Sequence, residues 1–211
     1  MPDPAVIFDV GNVLIRWDVH RLYRQFLPDA AAVDAFLAEI DFHAWNLELD
    51  RGADWDEAVA AHSALHPHRA ELIAAFHRRW DETIPGAIDG TVAILDDLAA
   101  AGVALYAITN FSGPKWELTV ARFPFLGTAF RDVVVSGRER LLKPDPAIFR
   151  LCLERNGLDA AGCVFVDDSP KNIAAAAALG LDAVLFTDPE ALRADLARRG
   201  LIARADAGGA A

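Results

Sequence analysis

The chain has 211 residues, 54% of them hydrophobic and 24% charged, which is the composition of a globular protein long enough to bury a sizeable core. A formal net charge of −11 excludes the basic face that nucleic acid or an anionic membrane requires, so neither is expected as a partner. No apolar run reaches membrane-spanning length, Met1-Pro2-Asp3-Pro4 lacks the basic region of a signal peptide, and Cys152 and Cys163 lie among apolar residues as buried thiols do; a cytoplasmic protein is expected.

In chain order, Val6-Ile7-Phe8-Asp9-Val10-Gly11-Asn12-Val13-Leu14 reads as an apolar strand that stops at one carboxylate. An acid there sits at the carboxyl edge of a strand, where an α/β sheet opens into its crevice. The same Asp-x-Gly-Asn letters also suit an ordinary strand-ending turn. From about Arg16 to Ile84 the pattern changes to amphipathic helices without a convincing strand: Leu22, Tyr23, Phe26 and Leu27, then Val33, Phe36, Leu37 and Ile40, recur at helical spacing. Asp54 can cap a helix from Trp55 to Leu65, and Pro67 separates it from another over Leu72 to Trp80.

Beyond Pro85-Gly86 helix and strand alternate. Helices are expected over Ile88 to Ala101, Pro114 to Phe123, Pro146 to Asn156, Pro170 to Leu179 and Pro189 to Arg199. Strands are expected at Val103 to Ile108, Val133 to Val135, Cys163 to Val166 and Ala183 to Phe186. Strands apolar throughout and separated by helices imply a parallel sheet covered on both faces. The expected fold is a doubly wound, Rossmann-like α/β core from residues 1–15 and 85–203. An α-helical cap, residues 16–84, is inserted beside the crevice, and 204–211 is expected to be an unstructured tail.

Polar residues stand after the apolar strands in the order Asp9, Thr109-Asn110, Lys143 and Asp167-Asp168. With these four motifs in order over nearly the whole chain, and the helical block in the position of a small helical cap, the sequence resembles the haloacid dehalogenase-like hydrolases. The resemblance implies a phosphatase in which Asp9 is a carboxylate nucleophile that forms an acyl-phosphate. It implies Mg²⁺ held by Asp9, the Gly11 main-chain carbonyl and Asp168, with Asp167 an outer ligand through water. Thr109, Asn110 and Lys143 would hold phosphoryl oxygens. Read without the resemblance, Asp167-Asp168-Ser169-Pro170 is a helix start capped by Ser169, which leaves two adjacent carboxylates unexplained.

Gly11 departs from the pattern, since most phosphatases of the family carry a second aspartate there, which protonates the leaving group. The Asp-x-Gly-Asn-Val form resembles a branch with bacterial sugar-phosphate phosphatases active on glucose 1-phosphate, so a small phosphate monoester, such as a sugar phosphate, is the expected substrate. Arg51 and Trp45, with Trp17, are the cap residues singled out for substrate contact. The competing readings are a 2-haloacid dehalogenase, which uses the same aspartate without metal but typically has Ser and Asn at the final motif, and a regulatory phospho-ligand-binding protein without turnover. The oligomeric state is left open.

Overall fold

The structure, a computed structural model, describes residues 4–203. The tail expected at 204–211 lies outside the described residues. Strand β1 (Ala5–Phe8) is followed by five helices: α1 (Val19–Tyr23), α2 (Ala30–Glu39), α3 (Phe42–Asp50), α4 (Trp55–Leu65) and α5 (Ala70–Arg78). Short 3₁₀ turns at Pro67–Arg69 and Trp80–Thr83 complete this block. Then come α6 (Asp89–Ala100), β2 (Ala104–Thr109), α7 (Gly113–Arg122), α8 (Phe125–Thr128), β3 (Asp132–Val135), α9 (Ser136–Glu139) and α10 (Pro146–Asn156). The chain closes with β4 (Cys163–Asp167), α11 (Pro170–Ala178), β5 (Asp182–Leu185) and α12 (Pro189–Arg198).

The five strands form one parallel sheet in the order β3-β2-β1-β4-β5, with Phe8 level with Ala107 on one side and Val166 on the other. Every residue of β1, β2 and β4 is buried, as both faces of a parallel sheet require. Successive side chains of β1 feed opposite faces: Val6 and Phe8 join a core that runs on into the helical block through Phe42 and Phe76, while Ile7 packs with Phe149 and Phe165. The chain builds outward from β1 to β2 and β3, then returns to place β4 on its other side. This reversal opens a crevice at the carboxyl ends of β1 and β4.

The block leaves and rejoins the sheet through two strands of linker side by side: Arg16 N–H donates to the Gly86 carbonyl at 2.9 Å and Ile88 N–H to the Leu14 carbonyl at 2.8 Å. The helix expected around Leu22 to Leu27 ends at Tyr23, and hydrogen-bonded turns carry the chain on to Leu27, where Pro28 disfavours further helical geometry. The one-turn helices α8 and α9 are too short to produce a periodicity and have no counterpart in the sequence reading. Both cysteines are buried free thiols. None of the described helices is long and apolar enough to cross a membrane.

Candidate active site

Asp9 leaves β1 just past its last strand residue, its main-chain N–H donating to the Val166 carbonyl at 2.8 Å. Its Oδ1 accepts from the Val10 N–H at 2.6 Å and lies 2.7 Å from the Lys143 ammonium. Both bonds fall on one oxygen, and among the described residues Oδ2 has no such partner. Lys143 also lies 2.7 Å from Asp167 Oδ2, so one buried ammonium serves two buried carboxylates. Burial pushes the Asp9 carboxyl up to about 7; Lys143 pulls it down and Asp167 pushes it up. Burial alone would depress the Lys143 pKa, but Asp9 and Asp167 outweigh it and hold it above the ordinary lysine value.

Lys143 does not stand at a strand end, as its order among the motifs suggested. It sits in the loop between α9 and α10, where Asn110 clamps its backbone from both sides. The Asn110 Nδ2 donates to the Lys143 carbonyl at 3.0 Å, and the Lys143 N–H donates to Asn110 Oδ1 at 2.8 Å. The side-chain amide of Asn110 thus positions Lys143, and Asn110 itself lines the crevice. Thr109 ends β2 at the same sheet edge, 1% exposed.

Asp167 is fully enclosed: Oδ1 accepts from the Ser169 N–H at 2.8 Å and from Asn172, and Oδ2 faces Lys143. Ser169 occupies the N-cap of α11, yet its hydroxyl makes no capping bond; the Asp167 carboxylate takes its N–H instead. Capping by Ser169 thus fails to account for this motif. Asp168 is exposed and lines the crevice. Burial and the neighbouring Asp167 raise its pKa, Lys143 opposing.

One oxygen each of Asp9, Asp167 and Asp168 lies within 4.8 Å of the others. Three carboxylates face a single ammonium, and the repulsion from Asp167 adds to burial, the larger cause, in raising the pKa of Asp9 and Asp168. A divalent cation of oxygen preference fits this donor set. The Gly11 carbonyl borders the same crevice and accepts no backbone hydrogen bond among the described residues. The left-handed residue of this loop is Asn12, with φ 56°, not Gly11. A Cβ added at Gly11 would meet nothing within 4 Å, so the missing side chain is not imposed by the backbone.

The crevice opens into a cavity of about 410 Å³ under the helical block. Its wall carries Trp17, Val19, Phe42, Leu47, Trp55, Trp80 and Phe111. Two of the cap residues singled out from the sequence do not take part. Trp45 is 4% exposed in the core of the block, stacked on His62 with ring centroids 4.7 Å apart, because its helical face is the inward one. Arg51 follows the last turn of α3 and points to solvent. Trp17 does line the cavity. His62, on which Trp45 stacks, is half-buried with Nε2 2.7 Å from the Ile40 carbonyl.

Asp50 and Lys115, which the sequence reading passed over, both line this cavity. Lys115 is 5% exposed, donates to the His77 carbonyl at 2.9 Å and lies 4.5 Å from the Trp55 ring centroid. Burial lowers its pKa. His43, Asn46, Leu47 and Asp50 fall at helical spacing on one face of α3, a signal legible in the sequence once α3 is assigned.

Comparison with known proteins identifies the family. The model of the haloacid dehalogenase-like hydrolases matches residues 4–180. A sesquiterpene phosphatase of Aspergillus oryzae is 27% identical over 87% of this chain and 90% of its own length. A phosphoglycolate phosphatase of Xanthomonas campestris is 29% identical over 85% and 81%. The mouse acyl-CoA dehydrogenase family member 10 is 26% identical over 88% of this chain, which spans only 18% of that protein. In structure, a HAD family enzyme of Bacteroides thetaiotaomicron, in its magnesium complex, superposes with a TM-score of 0.70 at 20% identity over 89% of this chain and 95% of that one. An L-2-haloacid dehalogenase superposes at 0.63 and 22% identity over 88% and 86%. At such identities the structural likeness speaks for the fold.

Proposed function

Because the chain belongs to the haloacid dehalogenase-like hydrolase family, we propose that it is a Mg²⁺-dependent phosphomonoesterase working through an aspartyl-phosphate, with residues 16–84 as the cap over its crevice. The observation that carries this reading is the Asp9–Lys143–Asp167–Asp168 cluster at the sheet's switch point. Mg²⁺, held by Asp9, Asp168 and the Gly11 carbonyl, would neutralise the phosphate and polarise it. Asp167, its oxygens already bonded, would act as the outer partner, fixing Lys143 and steadying the loop of Asp168.

Asp9 Oδ2 attacks phosphorus while Val10 N–H and Lys143 hold Oδ1. The Thr109 hydroxyl and the Lys143 ammonium stabilise charge on the phosphoryl oxygens. Water then attacks the acyl-phosphate, releasing phosphate and restoring Asp9. The aromatic wall favours an alcohol with an apolar face. A sugar phosphate could use that wall only through its C–H surface.

The test is a panel of phosphate esters and 2-haloacids assayed with Mg²⁺ and with a chelator. Esters of apolar alcohols should be turned over faster than sugar phosphates, and chelator should stop all of them. Chelator-resistant release of halide would instead support the dehalogenase. Mg²⁺ should also raise the melting temperature, by about 2.7 kcal/mol of stability at 100 times its Kd, and Asp168→Ala should lose most of this shift. An unchanged shift in Asp168→Ala would move the ion elsewhere.

A further inference from the structure

The reaction above lacks a proton donor for the departing alcohol, since Gly11 has no side chain. We propose that Asp50, on the last turn of α3, protonates the leaving-group oxygen and then accepts a proton from the water that cleaves the acyl-phosphate. This assignment rests on the phosphatase reading. As Asp9 Oδ2 bonds to phosphorus, the bond from phosphorus to the ester oxygen breaks, its electron pair stays on that oxygen, and the oxygen takes the Asp50 proton. In the second step water bonds to phosphorus and gives its proton to Asp50, the bond to Asp9 breaks, and both carboxyl groups return to their starting forms.

Three acids line the cavity: Asp9, Asp50 and Asp168. Asp9 is the nucleophile and Asp168 belongs to the cation cluster, which leaves Asp50. It is held firmly at the joint between the helical block and the sheet domain. Asn46 Nδ2 donates to its Oδ2 at 2.9 Å, and its main-chain carbonyl accepts from the Ser136 hydroxyl of α9 at 2.6 Å. Two residues on, Gly52 lies so close to Gly137 that a Cβ there would fall 2.4 Å from the Gly137 carbonyl oxygen. Trp55 Nε1 ties the next helix to the Ser112 hydroxyl at 2.8 Å.

The surroundings keep the acid protonated at neutral pH. Asp50 sits at the negative end of the α3 dipole, which disfavours a carboxylate. Burial pushes its pKa up to about 8, against the opposing pull of the Ser112 N–H and the Asn46 amide. The other titratable groups of the cavity are Asp9, Asp168, His43 on α3 itself and Lys115 on α7. From α2, α4 and α9, which pack on α3, no charged side chain contributes to its ionisation. An acid of this pKa is poised near the operating pH, where general acid–base catalysis is most effective.

The experiment compares 2-phenylethyl phosphate, a poor leaving group, with 4-nitrophenyl phosphate, which departs without protonation. Asp50→Asn should cut kcat on the alkyl ester by roughly 10²- to 10⁴-fold and on the nitrophenyl ester far less. For the wild-type protein, kcat/KM on the alkyl ester should fall as pH rises through about 8, a limb absent with the nitrophenyl ester. Gly11→Asp in the Asp50→Asn background should recover alkyl turnover, because position 11 has room for the side chain. Between the ordinary carboxylate range and about 8 the folded chain holds a proton on Asp50 that the unfolded chain has lost, so this group's contribution to stability falls with rising pH. The Asp50→Asn protein should therefore melt no lower than wild type near neutral pH. Equal losses on the two esters would overturn the assignment, as would leaving-group selectivity that instead disappears with Lys115→Met or His43→Gln. A wild-type protein inert toward both esters would overturn the phosphatase reading, and this assignment with it.

Discussion

Asp9→Asn abolishes hydrolysis of every ester the wild-type protein accepts, by roughly 10⁴-fold or more, the order of loss when an enzymatic nucleophile is removed. The amide keeps the shape of the side chain and one oxygen for the Val10 N–H, but it cannot form the bond to phosphorus. The fold should survive. Asn needs no ionisation at a position where burial already pushes the carboxyl up to about 7, and Lys143 keeps Asp167 as its partner. Turnover measured beside thermal unfolding checks both halves. A folded Asp9→Asn protein with wild-type rates would remove Asp9 from the chemistry.

Lys143→Met should be the most damaging change to stability in the site. The ammonium is 4% exposed and lies 2.7 Å from both Asp9 and Asp167, so its loss leaves two enclosed carboxylates facing each other without a counter-charge. Breaking a buried ion pair by removing one partner costs about 3–5 kcal/mol, and chemical denaturation would read this directly. The Asn110 clamp acts on the Lys143 backbone and persists in the variant, so the loop should keep its path. Activity should fall with the stability, since the same ammonium holds Asp9 Oδ1. A loss below 1 kcal/mol would mean that the cluster relies on another cation for its balance.

The doubly wound sheet was legible because its strands are short apolar runs punctuated by Gly and Pro, a pattern set by burial on both faces. Asp9 and the Asp167-Asp168 pair were legible for a related reason: carboxylates that end apolar strands have few structural uses. Lys143 was legible only through its order among motifs, since the Asn110 clamp that brings it in from a loop depends on tertiary contact. The cap was harder. Trp45 and Arg51 attracted notice by residue type, yet the turn of α3 sends Trp45 inward and leaves Arg51 in solvent, while Asn46 and Asp50 share the face that meets the cavity. The burial that raises the Asp50 pKa arises from α3 closing on Ser112 and Ser136, far away in sequence.

The covalent role of Asp9 is tested most directly by acid-quenching the protein during turnover of a phosphate ester, reducing with borohydride, and sequencing the peptide that carries residue 9 by mass spectrometry. Borohydride reduces an acyl-phosphate to the alcohol and leaves a free carboxyl intact. Homoserine is expected in place of Asp9 in the turnover sample, and unchanged Asp9 when ester is omitted. Sustained turnover with residue 9 recovered only as aspartate, or homoserine at another position, would contradict the covalent role.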